Sequence, residues 1–159
     1  MGHHVPYDEL SYCDPLRTNG TADDPILYPC GLIANSIFND TFGPLVLLNA
    51  AASDANNVTY NFTTDNIAWD TDKDLYNETS GYTNDEILPP PNWYARYPNG
   101  YTDTEPQPNF KADESFQNWM RTAGLPTFAK LALRNDGESL QPGRYTINIT
   151  DSKRCVSVT

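Results

Sequence analysis

Asp70, Asp72 and Asp74 stand at alternate positions, the spacing with which a calcium-binding loop opens. Such a loop needs glycine at its sixth position and a bidentate glutamate at its twelfth. Leu75 and Gly81 occupy those places, so the triplet reads as a solvated acidic turn. His3 and His4 are the only histidines and sit together near the N-terminus. That removes the usual general base and the usual zinc ligand from the body of the chain. No glycine-rich phosphate loop, nucleophile elbow or cysteine–histidine arrangement is present. The 21 acidic residues guarantee some carboxylate proximity, but none is singled out as a glycosidase-like pair. The sequence therefore implies no catalytic activity, no metal and no cofactor. Trp93, Tyr94, Tyr97 and Tyr101 could stack sugars, which would make the chain a secreted glycan-binding module. The alternative is that they pack a proline-rich loop against the core, and that reading is preferred because prolines and tyrosines commonly pack together.

The covalent chemistry points to a compartment. Six triplets satisfy Asn-x-Ser/Thr, at Asn19, Asn39, Asn57, Asn61, Asn77 and Asn148, a density that favours the secretory pathway. Cys13 and Cys30, seventeen positions apart in loop-like sequence, suit a disulfide there, with two buried free thiols as the alternative. Closing that loop would stabilise the fold by roughly 3 kcal/mol in the chain-entropy model. Cys155 is left over, either a small buried hydrophobe or an exposed thiol prone to dimerise the protein. A net charge of −11 argues against nucleic acid and against an anionic membrane leaflet. No apolar run is long enough to span a bilayer, and the longest, residues 45–52, is broken by Asn49. Met1-Gly2-His3-His4 lacks the basic flank and apolar segment of a signal peptide and reads as a leader.

The elements that must position these residues are mostly short. With 13 prolines and 10 tyrosines, strands and loops are favoured over long helices. Residues 1–11 read as a leader or flexible N-terminus, and 12–159 as a single domain. Residues 31–38 fit helix and strand equally, since Ile33 and Ile37 keep helical spacing while Ala34, Ser36 and Phe38 alternate. Residues 53–66 are polar and expected to form an exposed tip carrying Asn57 and Asn61. Residues 79–112 should be irregular and pinned by aromatic packing. One helix is clear. Asp113 and Glu114 favour its start, Phe116, Trp119 and Met120 share a face docked on the core, and Gly124 with Pro126 stops it. Arg121 at its end is expected to pair an acid or a backbone carbonyl. Residues 127–133 alternate as a strand would, with Lys130 outward. In residues 144–150, Tyr145, Ile147 and Ile149 should face one way, and Thr146, Asn148 and Thr150 the other. The pattern predicts a mainly β chain, an antiparallel β-sandwich with short helical inserts and long irregular loops.

Two runs carry a family resemblance, PCGLIANSIFNDTF at residues 29–42 and NWMRTAGLPTF at 118–128. IAW and TDK at 67–73, PPNW at 90–93 and LQPGRYTINIT at 140–150 follow the same family in the same order. The chain resembles the ligand-effect-modulator-three family, the accessory subunits of phospholipid-flipping type-IV P-type ATPases, and its LALRNDGESLQPG segment is most similar to fungal members. The resemblance covers roughly residues 12–150. It implies a β-sandwich domain, non-catalytic, that embraces the exoplasmic side of the ATPase and supports its folding, exit from the endoplasmic reticulum and lipid transport. The implied location is the lumenal or exoplasmic face of endoplasmic reticulum, Golgi, endosome or plasma membrane, with N-linked glycans. Carried over by residue, Asn39 and Asn148 match glycosylated positions and Cys13–Cys30 matches a family disulfide. Members carry a transmembrane helix at each end, so this chain looks like an excised lumenal domain. The family's aromatic–basic segment before the disulfide, with its cysteine cluster, is missing. DSKRCVSVT also stands where a further hairpin with a Tyr-Pro-Val turn is expected, which puts some partner contacts and a sheet edge in doubt.

Overall fold

The computed structural model describes residues 6–21, 24–48 and 57–150. Residues 1–4, expected to be a leader, the start of the expected 53–66 tip and Cys155 fall outside them. The chain divides into two compact units. One holds the residues up to 37 together with 68–130, and the other holds 38–67 together with those from 131 onward.

The first unit is built on aromatic packing. Its backbone is broken by proline, so its regular pieces are brief. Strand β1 (Ile26–Leu27) pairs in parallel with the later strand Ile87–Leu88, in register Ile26 to Ile87 and Leu27 to Leu88. Helix α1 is a single turn, Leu32–Asn35, and 3-10 helices among the described residues cover Tyr7–Cys13, Asp70–Leu75 and Pro91–Trp93. Helix α2, Glu114–Met120, is the longest α-helix. Around these, Ala34, Ile87, Trp93, Tyr97, Tyr101, Phe110 and Phe116 form one buried cluster. Phe110 and Phe116 stack with centroids 3.9 Å apart, and Trp93 meets both edge-on at 6.1 and 6.2 Å. Such ring pairs contribute about 0.5–1.5 kcal/mol each beyond their buried area. The polar tips are satisfied inside. Trp93 Nε1 donates to the Ala34 carbonyl at 3.1 Å, and the Tyr101 hydroxyl donates to the Tyr28 carbonyl. Burial pushes the Tyr28 phenol up to about 12 and raises Tyr101 further.

The second unit is built on a sheet. Strand β2 (Thr41–Leu48) lies between β3 (Val58–Tyr60) and β5 (Arg144–Thr150), both antiparallel to it, while β4 is the Ile87–Leu88 strand of the first unit. The β2–β5 register shifts between Phe42 and Leu45. Gly43 sits at that bulge because a Cβ there would lie 3.2 Å from the Asn148 carbonyl oxygen. The core is thin, with Leu47 and Tyr60 buried and Leu45, Val58, Phe62 and Tyr145 packed against them.

Five expectations are changed or resolved. The described residues of each unit hold one small sheet, three-stranded and antiparallel in one and a two-stranded parallel ladder in the other, and neither is itself a two-sheet sandwich. The ambiguity at 31–38 resolves as one helical turn with Ala34 buried and Ile33 exposed. Residues 127–133 form no strand. Lys130, which alternation pointed outward to solvent, turns back to the carbonyls that end α2 and holds this stretch irregular. Within the expected polar tip, Val58 and Tyr60 supply enough apolar alternation for β3. In β5 the expected two-faced pattern is absent. Tyr145 is half-buried, whereas Ile147 and Ile149 are 43% and 52% exposed, since the small core reaches only Tyr145.

Candidate functional site

In the first unit, three separated segments meet, and each carries part of the family-like sequence. Cys13 and Cys30 are joined, with Cα atoms 5.4 Å apart. Gly31 follows at φ 91°, a backbone turn that favours glycine, and its N–H donates to the Leu16 carbonyl at 3.0 Å. This turn launches α1. Asn35 then fixes α1 to the Pro91–Trp93 helix. Its side-chain oxygen accepts from the Asn92 backbone N–H at 2.9 Å, and its carbonyl accepts from Asn92 Nδ2 at 3.0 Å.

Helix α2 brings the second segment. The Asp113 carboxylate accepts from the Phe116 N–H at 2.9 Å and caps its start. The helix buries Phe116 and Gln117, with Gln117 only 1% exposed and its amide donating to the carbonyls of Phe110 and Lys111. Met120 packs against the core. Trp119 is half-buried and lies over the surface, its indole N–H donating to the Ile33 carbonyl at 2.8 Å. Beyond the helix, the Lys130 ammonium donates to the carbonyls of Asn118, Trp119 and Arg121, capping the last turn where acceptors would otherwise be orphaned. Burial lowers its pKa.

The third segment is the 3-10 helix Asp70–Leu75. Trp69 precedes it in extended conformation and is exposed, as is Leu75 at its end, whereas Asp72 turns inward. Asp72 is 8% exposed, and both of its carboxylate oxygens accept from Arg121 Nη1 at 2.8 Å. The guanidinium lies 5.1 Å over the Trp69 ring and remains half-exposed, with Nε and Nη2 unused by Asp72. On the other side, Lys73 reaches Glu114 at 3.3 Å, and that carboxylate holds the ammonium pKa above its ordinary value. Glu114 also accepts the Ala68 N–H at 3.1 Å, which ties this segment to α2. Two of the acidic triplet are thus spent on ion pairs, Asp72 with Arg121 and Asp70 with Lys73 at 3.6 Å. Among the described residues no group of three His, Cys, Asp or Glu side chains is placed to hold a metal.

Ile33, Trp69, Leu75 and Phe128 on these segments are all more than half exposed, with Arg121 over the Trp69 ring and Lys130 6.0 Å from the Phe128 ring. The sugar platform is overturned, because Trp93, Tyr97 and Tyr101 are 3%, 7% and 5% exposed and only Tyr94 shows a free ring. Of the acceptor asparagines, Asn148 is exposed on β5, Asn39 is half-buried ahead of β2, and Asn19, Asn57, Asn61 and Asn77 are exposed. Gln117 was not singled out from sequence, while Asp72 entered there only as part of an acidic turn and Lys130 only as an outward strand residue. A basic residue soon after a helix stop was the available signal for Lys130.

The first unit is thus closed by a disulfide and presents exposed apolar side chains beside paired charges. The chain belongs to the LEM3 (ligand-effect modulator 3) family / CDC50 family, whose model matches residues 1–154. It is similar to the phospholipid-transporting ATPase accessory subunit CDC50 of Chaetomium thermophilum, 50% identical over 140 residues that cover 87% of this chain and 34% of that protein. It is also similar to the accessory subunit CRF1 of Saccharomyces cerevisiae, 48% identical over 138 residues, 86% of this chain and 32% of that one. Cell cycle control protein 50A of Rattus norvegicus is 36% identical over 149 residues, 87% of this chain and 44% of that one. The chain therefore spans about a third of the length of the first of these curated relatives. Among the described residues no helix is long and apolar enough to cross a membrane.

Proposed function

We propose that this chain is an exoplasmic part of an accessory subunit of a phospholipid-transporting P-type ATPase. It binds the catalytic subunit without turning over ATP, supports its folding and exit from the endoplasmic reticulum, and sustains lipid transport. The observation that carries this reading is the meeting of residues 31–37, 68–73 and 118–130 within the first unit. These stretches hold much of the family-like sequence, and they are joined by Trp119 to Ile33, Arg121 to Asp72 and Glu114 to Ala68. An exposed apolar patch of this kind marks an interaction surface. Arg121 has donors to spare beside the Trp69 ring, so the face suits an exoplasmic segment of the ATPase that carries apolar side chains next to a carboxylate. Asn39 and Asn148 carry N-linked glycans in this reading, and the chain faces the lumen of the secretory pathway.

The test is co-purification of the full chain with a phospholipid-transporting ATPase catalytic subunit from detergent. Leu75→Glu and Phe128→Asp would each put a charge on an exposed apolar side chain of the first unit. Each should reduce recovery of the complex by about tenfold or more, as loss of a binding hot spot does. Leu140→Asp, exposed in the second unit, should not. Wild-type recovery in both face variants would move the interface elsewhere, and failure of the unaltered chain to bind would remove the accessory reading.

A further inference from the structure

The second unit contains an open polar cleft of about 360 Å³ that the accessory reading does not use. Its lining includes Asn61 and Thr63, the first and third residues of an Asn-x-Thr triplet, together with Asp65, Arg134, Asp136 and Glu138. The middle residue, Phe62, packs on the Leu47–Tyr60 core and fixes the triplet's orientation. Its backbone is pinned as well. Thr63 and Arg134 exchange two backbone hydrogen bonds at 2.9 and 3.0 Å, and Asn135 Nδ2 donates to the Asn61 carbonyl at 2.7 Å. The floor of the cleft is held in place. Arg134 donates to the Asn66 carbonyl and pairs with Asp136, each at 2.6 Å. The Asn135 side-chain oxygen accepts the N–H groups of Gly137 and Glu138 at 2.9 and 3.1 Å.

We propose that Asn61 carries an N-linked glycan and that its first N-acetylhexosamine seats in this cleft. The lining disfavours an anion and a free sugar. Asp65, Asp136 and Glu138 outnumber Arg134, so an anion is repelled, and no aromatic ring is present to bind a free sugar by stacking. A tethered sugar needs neither. Its attachment has already met the entropy cost of association and supplies an effective concentration in the millimolar range for a short link. A shallow cleft of hydrogen-bonding groups is then sufficient, with carboxylates accepting from sugar hydroxyls and the guanidinium donating to the acetamide oxygen. The volume lies at the lower end of that for small-ligand sites, which suits one sugar ring with the rest of the glycan in solvent. The Asn61 side chain is exposed at the cleft, so the folded unit tolerates the attachment. This inference rests only on the secretory part of the reading above and needs no ATPase.

The experiment is glycopeptide mapping of the full chain secreted from a eukaryotic host. Amide hydrogen exchange is then compared before and after enzymatic removal of the glycans. Asn61 should be occupied, and deglycosylation should speed exchange at residues 134–138. Asn61→Gln should lose one glycan and remove that difference. Thr63→Ala should do the same if Asn61→Gln folds poorly, and Thr63→Ser, which keeps the triplet, should restore both. An unmodified Asn61 beside an occupied Asn148 overturns the proposal while sparing secretion. An occupied Asn61 with unchanged exchange at 134–138 overturns the seat. A chain unmodified at every triplet overturns the secretory reading along with it.

Discussion

The two units reach order by opposite routes. The first has little regular backbone, yet it buries seven clustered side chains, five of them aromatic rings, and closes its N-terminal loop with a disulfide. The second has the longest strands in the chain, yet only Leu47 and Tyr60 are buried in its core cluster. Ladder hydrogen bonds replace bonds to water and contribute modestly in net terms, whereas burial of large rings is strongly favourable. Regular secondary structure and stability are therefore separable here. Most of the unit that looks like loop is the better buried.

The largest test of that contrast is Trp93→Ala. Trp93 touches Tyr97, Phe110 and Phe116 and donates to Ala34, so its removal leaves a cavity and takes the side-chain donor from a carbonyl that keeps the Ile37 N–H at 3.4 Å. The expected cost is about 3–5 kcal/mol, a large share of a domain's ~5–15 kcal/mol. Hydrogen exchange should show protection lost chiefly through residues 87–120. Trp119→Ala should cost clearly less, because that ring is half-buried on the surface. Equal melting temperatures for the two variants would place Trp119 in the core and break the distinction.

That pair of tryptophans also shows how far the sequence could be read. The helix around Phe116 was legible, because Asp113, the i, i+3, i+4 spacing and Gly124 with Pro126 are local signals. Irregular, aromatic-pinned structure at 79–112 was legible from composition. The order of burial along α2 was not. Gln117 is more buried than Trp119 because the Phe110 and Lys111 carbonyls, seven and six residues upstream, need its amide. The strand expected at 127–133 failed for a related reason. Alternation describes a side chain's preference for solvent, and Lys130 found three carbonyls instead. The face itself was invisible in sequence, since Asp72 and Arg121 are 49 residues apart and only the fold pairs them.

A smaller effect is expected from the disulfide. Replacing Cys13 and Cys30 together by serine should destabilise the first unit by roughly 3 kcal/mol, mainly through the freed loop of the unfolded chain. Thermal melts with and without reductant measure it. Wild-type protein should shift on reduction, and the double variant should not. If the reduced chain retained full protection at Ile26, Leu27 and α1, aromatic packing alone would hold that unit, which would sharpen the contrast with the thin sheet.

The smallest effect separates packing from local backbone chemistry. Asp113 caps α2 by accepting the Phe116 N–H at 2.9 Å, a contact worth about 1 kcal/mol when a capping side chain is truncated. Asp113→Ala should lower the melting temperature by only about 2–4 °C in a chain of this size, and Asp113→Asn or Asp113→Ser should recover most of it. The cap matters because it sets the first turn from which Phe116 enters the stack with Phe110, but the stack rather than the cap supplies most of the stabilisation. Circular dichroism melts of the three variants beside Trp93→Ala decide the point. A loss from Asp113→Ala as large as that from Trp93→Ala would mean that α2 is held by its terminus, and the first unit would then depend on backbone order as the second does.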